Sequence, residues 1–292
     1  MKTKLIAGAA GTSLLLAGLT VTATPASAAA PPVVTIAVSG DQATISQTTI
    51  RPGVVEFHVS DSFTVPGDQG GPEPVSIVRT DALDQVLATL PAVFSGDPSD
   101  PASMAAVAQG MRTVHALTTL YGGAQKGGVW QAWLPAGNYY VLGIQSAAMG
   151  MTKPVAFTVA GSPRSGRLHA VQAAFWASGP VGNNDFHFAQ LGRQPVTWLS
   201  FRNAAKEIHF LDVTGVKPTT TNAAVRKALA SNADPKFVTG PFFAFDVISP
   251  GVRVVIKQSL APGKYLVDCF IPSETDGMPH ALMGMWKLVV VR

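Results

Sequence analysis

The stretch Leu260–Phe270 reads LAPGKYLVDCF, and a near copy, LPAGNYYVLGI, occupies Leu134–Ile144. In each, a Pro/Gly turn precedes a run rich in aromatic and β-branched residues, the signature of a turn feeding a β-strand. Two further pairs keep the same order along the chain. EPVSIVRT from Glu73 matches EIHFLDVT from Glu207, and MGMTKPVAFTV from Met149 matches MGMWKLVVV from Met283. Three matches in one order predict a duplicated β unit.

Working outward, VVTIAVS from Val33, VVEFHVS from Val54, VTWLSF from Val196 and RVVIKQ from Arg253 are short apolar runs bounded by Gly or Pro, and they read as further strands. Helical spacing interrupts them in DALDQVLATL from Asp81 and in DPASMAAVAQGMRTVHAL from Asp100, where Pro101 suits a first helical position. TNAAVRKALA from Thr221 is the counterpart in the second half. Residues 160–167, AGSPRSGR, are small, turn-forming and basic, as a linker is. The expected organisation is a first unit over residues 31–160, a linker over 161–167 and a second unit over 168–292. The fold class is mainly β, with two tandem antiparallel β-sandwiches and short helical insertions.

The chain opens with MKTK, an apolar run LIAGAAGTSLLLAGLTVTA and a small-residue stretch TPASAAAPP, the three-part form of a secretory signal over residues 1–28. No later run has the uninterrupted apolar length of a membrane span, so a soluble exported protein is expected. Removing Lys2 and Lys4 lowers the formal net charge from +4 to +2, too mild a balance for nucleic-acid binding. Cys269 is the only cysteine, which excludes an intramolecular disulfide. In an oxidising compartment a lone thiol must be buried, paired with another chain or bound to metal.

The strand period of two puts Tyr265, Val267 and Cys269 on one face of KYLVDCF, and groups His209, Leu211 and Val213 inward while turning Asp212 outward. The loop after Cys269 delivers His280 and, five residues on, Met285. A thiolate, two imidazoles and a thioether are thus available to one point. Structural zinc closes with four strong nitrogen or sulfur ligands, and thioether is a poor fourth. One cysteine and two histidines with a weak axial methionine suit a blue-copper electron-transfer site better.

The second half resembles the cupredoxins, the plastocyanin-like copper fold. FRNAAKEIH resembles the strand that carries the upstream histidine, and GKYLVDC followed by the H-x4-M of HALMGM resembles the C-terminal ligand loop. The resemblance implies one copper per chain, held by His209, Cys269, His280 and Met285, with a redox protein as partner. The sequence departs from that pattern twice. Ten residues separate Cys269 from His280, a longer loop than small members of the family typically use, and Phe210 stands where plastocyanins have a polar residue. The first half resembles the same fold without the chemistry: Val75 stands opposite His209, Gly143 opposite Cys269 and Ser146 opposite His280, and only Met151 keeps its counterpart in Met285.

Taken alone, a strand cysteine is most often a small buried hydrophobe, and Met278 and Met283 read as packing residues. His58, His115, His169 and His187 carry no assigned role. With six histidines, no H-x-H pair and no G-x-S-x-G, H-E-x-x-H or phosphate-cradling loop, the chain is not expected to be an enzyme. The alternatives to electron transfer are a copper carrier, a metal-free secreted β-sandwich, and a copper enzyme completed by a partner's ligands.

Overall fold

Short apolar runs separated by Gly and Pro turns become nineteen strands among the described residues of the computed structural model, which are 30–65, 72–231 and 235–292. The expected leader lies outside them. The first half holds β1 (Val33–Ser39), β2 (Gln42–Ile45), β3 (Thr49–Ile50), β4 (Gly53–Val59), β5 (Phe63–Thr64), β6 (Pro72–Glu73), β7 (Val75–Arg79), β8 (Thr119–Ala124), β9 (Val129–Leu134), β10 (Gly137–Leu142) and β11 (Val155–Val159). The second supplies β12 (Ala173–Ser178), β13 (Asp185–Gln190), β14 (Val196–Asn203), β15 (His209–Val216), β16 (Val238–Ile248), β17 (Arg253–Leu260), β18 (Gly263–Asp268) and β19 (Trp286–Val291). Helices α1 (Leu83–Phe94) and α2 (Pro101–Leu117) lie between β7 and β8, α3 (Ile144–Ala148) follows β10, and α4 (Asn222–Ser231) lies between β15 and β16.

Two large sheets result. One runs β13-β12-β14-β17-β9-β4-β1-β2 and the other β19-β18-β15-β16-β8-β7-β10-β11-β3. Outward from the middle, each order meets matching strands of the two halves in the same sequence, so the duplication is visible as a near-palindrome. The halves join edge to edge, by β17 on β9 (Val254↔Ala132 to Ile256↔Trp130) and by β16 on β8 (Ile248↔Tyr121). Pairing is antiparallel except for β1 on β4, β12 on β14 and β3 on β11, the first two occupying matching places. Residues 160–172, between β11 and β12, form no strand or helix.

Between the sheets one continuous apolar core runs through both halves, from Val34, Phe57 and Tyr139 to Phe201, Val267 and Val289. Phe245 of β16 is its clearest cross-sheet wedge, with ring centroids 6.2 Å from Phe175 and 5.8 Å from Phe201. Helix α2 starts as its sequence requires. Asp100 caps it by accepting the Ala102 N–H at 2.9 Å, Pro101 follows, and Met104, Val107, Met111 and Val114 form the buried stripe.

Candidate metal centre

His209 is the first residue of β15 and Cys269 the first residue past β18. The two strands are antiparallel neighbours, paired from Asp212↔Asp268 to Val216↔Lys264, so both residues reach the same end of the sandwich. The long loop then folds back on itself. An isolated antiparallel bridge joins Pro272 to Pro279 and folds the residues between them out of the way. His280 N–H donates to Ile271 O at 3.0 Å and Ala281 N–H to Cys269 O at 2.7 Å, which sets His280 directly over the thiol despite the ten intervening residues. Met285 N–H donates to His280 O at 2.9 Å and closes the H-x4-M turn.

The outcome is a buried cluster. Cys269 Sγ lies 3.7 Å from His209 Nδ1 and 3.8 Å from His280 Nδ1, and the three donor atoms all lie within 4.8 Å of one another. His209 and Cys269 are 0 % exposed, and His280 and Met285 are 1 % exposed. Met285 belongs to the same core cluster as Cys269.

These distances test the donor set. Bonds of about 2.0 Å to nitrogen and 2.3 Å to sulfur put those atoms about 3.7 Å apart at a trigonal angle, and about 3.5 Å apart at a tetrahedral one. The two sulfur–nitrogen spacings match the trigonal value. His209 Nε2 and His280 Nε2 are buried without a hydrogen-bond partner, so both rings turn their Nδ1 side to the thiol. Burial, with His280 alongside, lowers the His209 pKa to about 3, so its lone pair is free of a proton at neutral pH. Burial pushes the Cys269 thiol well above its ordinary value; the backbone N–H groups of Ile271 and Phe210 pull it back, while Asp212 and Asp268 push it up further. A cation between these atoms reverses that balance, because a coordinated thiol loses its proton. The residues therefore fit a soft, low-coordinate metal ion.

Sequence reasoning missed Glu207, which braces the site. Its carboxylate is buried and accepts the N–H groups of Gly182 (2.7 Å) and Glu274 (2.8 Å) and Asn184 Nδ2–H (2.6 Å), and it stands 3.4 Å from His280 Nε2. Burial would raise its pKa, yet His280 and these donors outweigh burial and hold it well below the carboxylate range. The signal was the position of Glu207 opposite Glu73 in the repeat. The first half also contributes through α2, from which Arg112 donates to Glu274 O and His115 Nδ1 meets Glu274 Oε1 at 2.6 Å.

The remaining histidines serve elsewhere. His58 pairs with Glu56, His169 stacks on Trp198 with centroids 4.1 Å apart, and His187 stacks on Trp176. In the first half Val75 opens β7 as His209 opens β15, and Gly143 follows β10 as Cys269 follows β18. Met151, expected to keep its counterpart in Met285, is 38 % exposed and has left the core.

No protein-family model and no curated protein sequence matches the chain. Among solved structures it is similar to auracyanin B, at 25% identity over 41% of this chain and 86% of that one, with a TM-score of 0.25. It is also similar to auracyanin from the photosynthetic bacterium Roseiflexus castenholzii, at 16% identity over 41% of this chain and 94% of that one, with a TM-score of 0.25. A copper nitrite reductase from Nitrosomonas europaea is similar at 11% identity over 90% of this chain and 94% of that one, with a TM-score of 0.23.

Among the described residues no helix is long and apolar enough to cross a membrane.

Proposed function

We propose that the chain is an exported tandem cupredoxin that binds one copper ion in its second half and passes single electrons to and from a protein partner. The ligands are the Cys269 thiolate, Nδ1 of His209 and of His280, and Met285 as the weak fourth donor. The observation that carries this reading is the trigonal spacing of 3.7 and 3.8 Å between one buried sulfur and two buried ring nitrogens.

Copper supplies the one-electron couple when bound. The protein holds the donors still. His209 and Cys269 stand at the ends of adjacent strands, and the backbone bonds to Cys269 O, Ile271 O and His280 O fix the loop between them. Little rearrangement then accompanies a change of oxidation state. Burial of all four side chains keeps water and exchanging ligands out, which favours electron transfer over copper delivery. Four donors leave no open position for a substrate, so this is a carrier rather than an enzyme. In the first half Val75, Gly143 and Ser146 offer neither thiolate nor imidazole, and that half serves as support.

Titration of the purified protein with Cu(II) tests the proposal. The expected result is an intense visible charge-transfer band that saturates at one equivalent and is absent in Cys269→Ala. A colourless protein, or a band that survives Cys269→Ala, overturns it and leaves a metal-free β protein.

A further inference from the structure

Glu207 stands outside the donor set, yet three segments of the chain converge on it. Oε2 accepts from Gly182 N–H and Asn184 Nδ2–H, while Oε1 accepts from Glu274 N–H and, at 3.3 Å, from the Ser273 hydroxyl. Four donors thus hold the two oxygens, and His280 Nε2 stands in contact with Oε1 at 3.4 Å. A carboxylate so surrounded is held rigidly in place.

The first half shows what such a carboxylate does without a metal site. Glu73, its counterpart, accepts the N–H groups of Gln145 and Ser146 and the Ser146 hydroxyl, tying down the segment that follows β10. Ser146 is the counterpart of His280. A carboxylate brace is common to both halves, though its donors come from different segments, and the group at the matching place is a hydroxyl in one and an imidazole in the other. A hydroxyl rotates to suit its acceptor, whereas an imidazole that donates at Nε2 must present a bare lone pair at Nδ1. That lone pair faces Cys269 Sγ.

We propose that Glu207 is the positioning residue of the copper centre: it holds the His280 proton on Nε2, aims Nδ1 at the ion and, as a permanent buried charge, favours the oxidised over the reduced state. The proposal rests on the copper reading above. The charge effect follows from a simple count. Thiolate and carboxylate together balance a dication, and a monocation leaves one negative charge uncompensated in a dry site.

Two measurements test it. The first needs no metal: ¹⁵N NMR of the metal-free wild-type protein should show His280 as the Nε2–H tautomer, and Glu207→Gln should remove that preference. An Nδ1–H tautomer in the wild-type protein overturns the proposal whether or not copper binds. The second is the copper midpoint potential. Glu207→Gln should raise it, cutting the oxidised-to-reduced ratio at a fixed potential by about tenfold, which is 59 mV for one electron. Glu73→Gln should lower the melting temperature and leave the potential unchanged. If Glu207→Gln alters the melting temperature alone, Glu207 is a brace of the same kind as Glu73 and nothing more. Failure of the wild-type protein to take up copper overturns the copper reading, and the tautomer result still decides the role of Glu207.

Discussion

His115 of α2 lies 2.6 Å from Glu274 of the loop between Cys269 and His280, so a helix of the first half is tied to the segment that leads to His280 in the second. The hydrogen bond that His115 donates to Glu274 holds the His115 pKa above its ordinary 6.5, although burial opposes it. A histidine whose folded pKa is raised contributes stability that is complete below the unfolded value and is lost as pH rises through the folded one. The melting temperature of the metal-free protein should therefore fall as pH rises above about 6.5. His115→Gln should flatten that slope, and an unchanged slope would show that the pair is not coupled to folding.

Gly277 touches the same helix from the loop side. Its φ is +78°, and a Cβ there would meet Met104 O of α2. Gly277→Ala should cost more than about 1 kcal/mol, because both the backbone conformation and the close approach oppose a side chain. Denaturant midpoints should show the loss, and copper affinity should fall with it as the loop lifts away from α2.

The first half has closed over the place where a ligand would stand. A Cβ at Gly143 would lie 2.5 Å from Glu73 Oε2 and 2.8 Å from Phe63 Cδ2. Gly143→Ala should destabilise by about 1–3 kcal/mol through overpacking. Copper stoichiometry and the visible spectrum should not change, and a changed spectrum would mean that the first half takes part in the centre.

Phe245 joins the sheets of the second half through Phe175 and Phe201. Phe245→Ala should cost about 3–5 kcal/mol, read as a lower denaturant midpoint at unchanged slope. A lower slope would instead report partial separation of the sheets.

Much of this architecture was legible because its causes are local. The run VVTIAVS is β1 residue for residue, Asp100 and Pro101 mark the start of α2, and the three repeat matches place equivalent strands at equivalent sites. Strand alternation turns His209 and Cys269 inward and loop order brings His280 after them, and the three come together. What escaped sequence reading depends on distant partners. The joins of β17 to β9 and β16 to β8 leave no periodic trace, and the Pro272–Pro279 bridge that makes a long loop act as a short one is a tertiary event. Glu207 reads locally as an ordinary carboxylate beside a strand. Exposure of Met151 escaped for a similar reason, since a matching motif does not keep a matching pocket once the residues around it have changed.

The edge-to-edge joins make each half the other's shield. Cut between β11 and β12, the second half would expose the free borders of β16 and β17, rows of unsatisfied amides and carbonyls of the kind that recruit further strands into aggregates. The first half then serves as a permanent edge guard, and excising it should give a sticky fragment rather than a smaller protein.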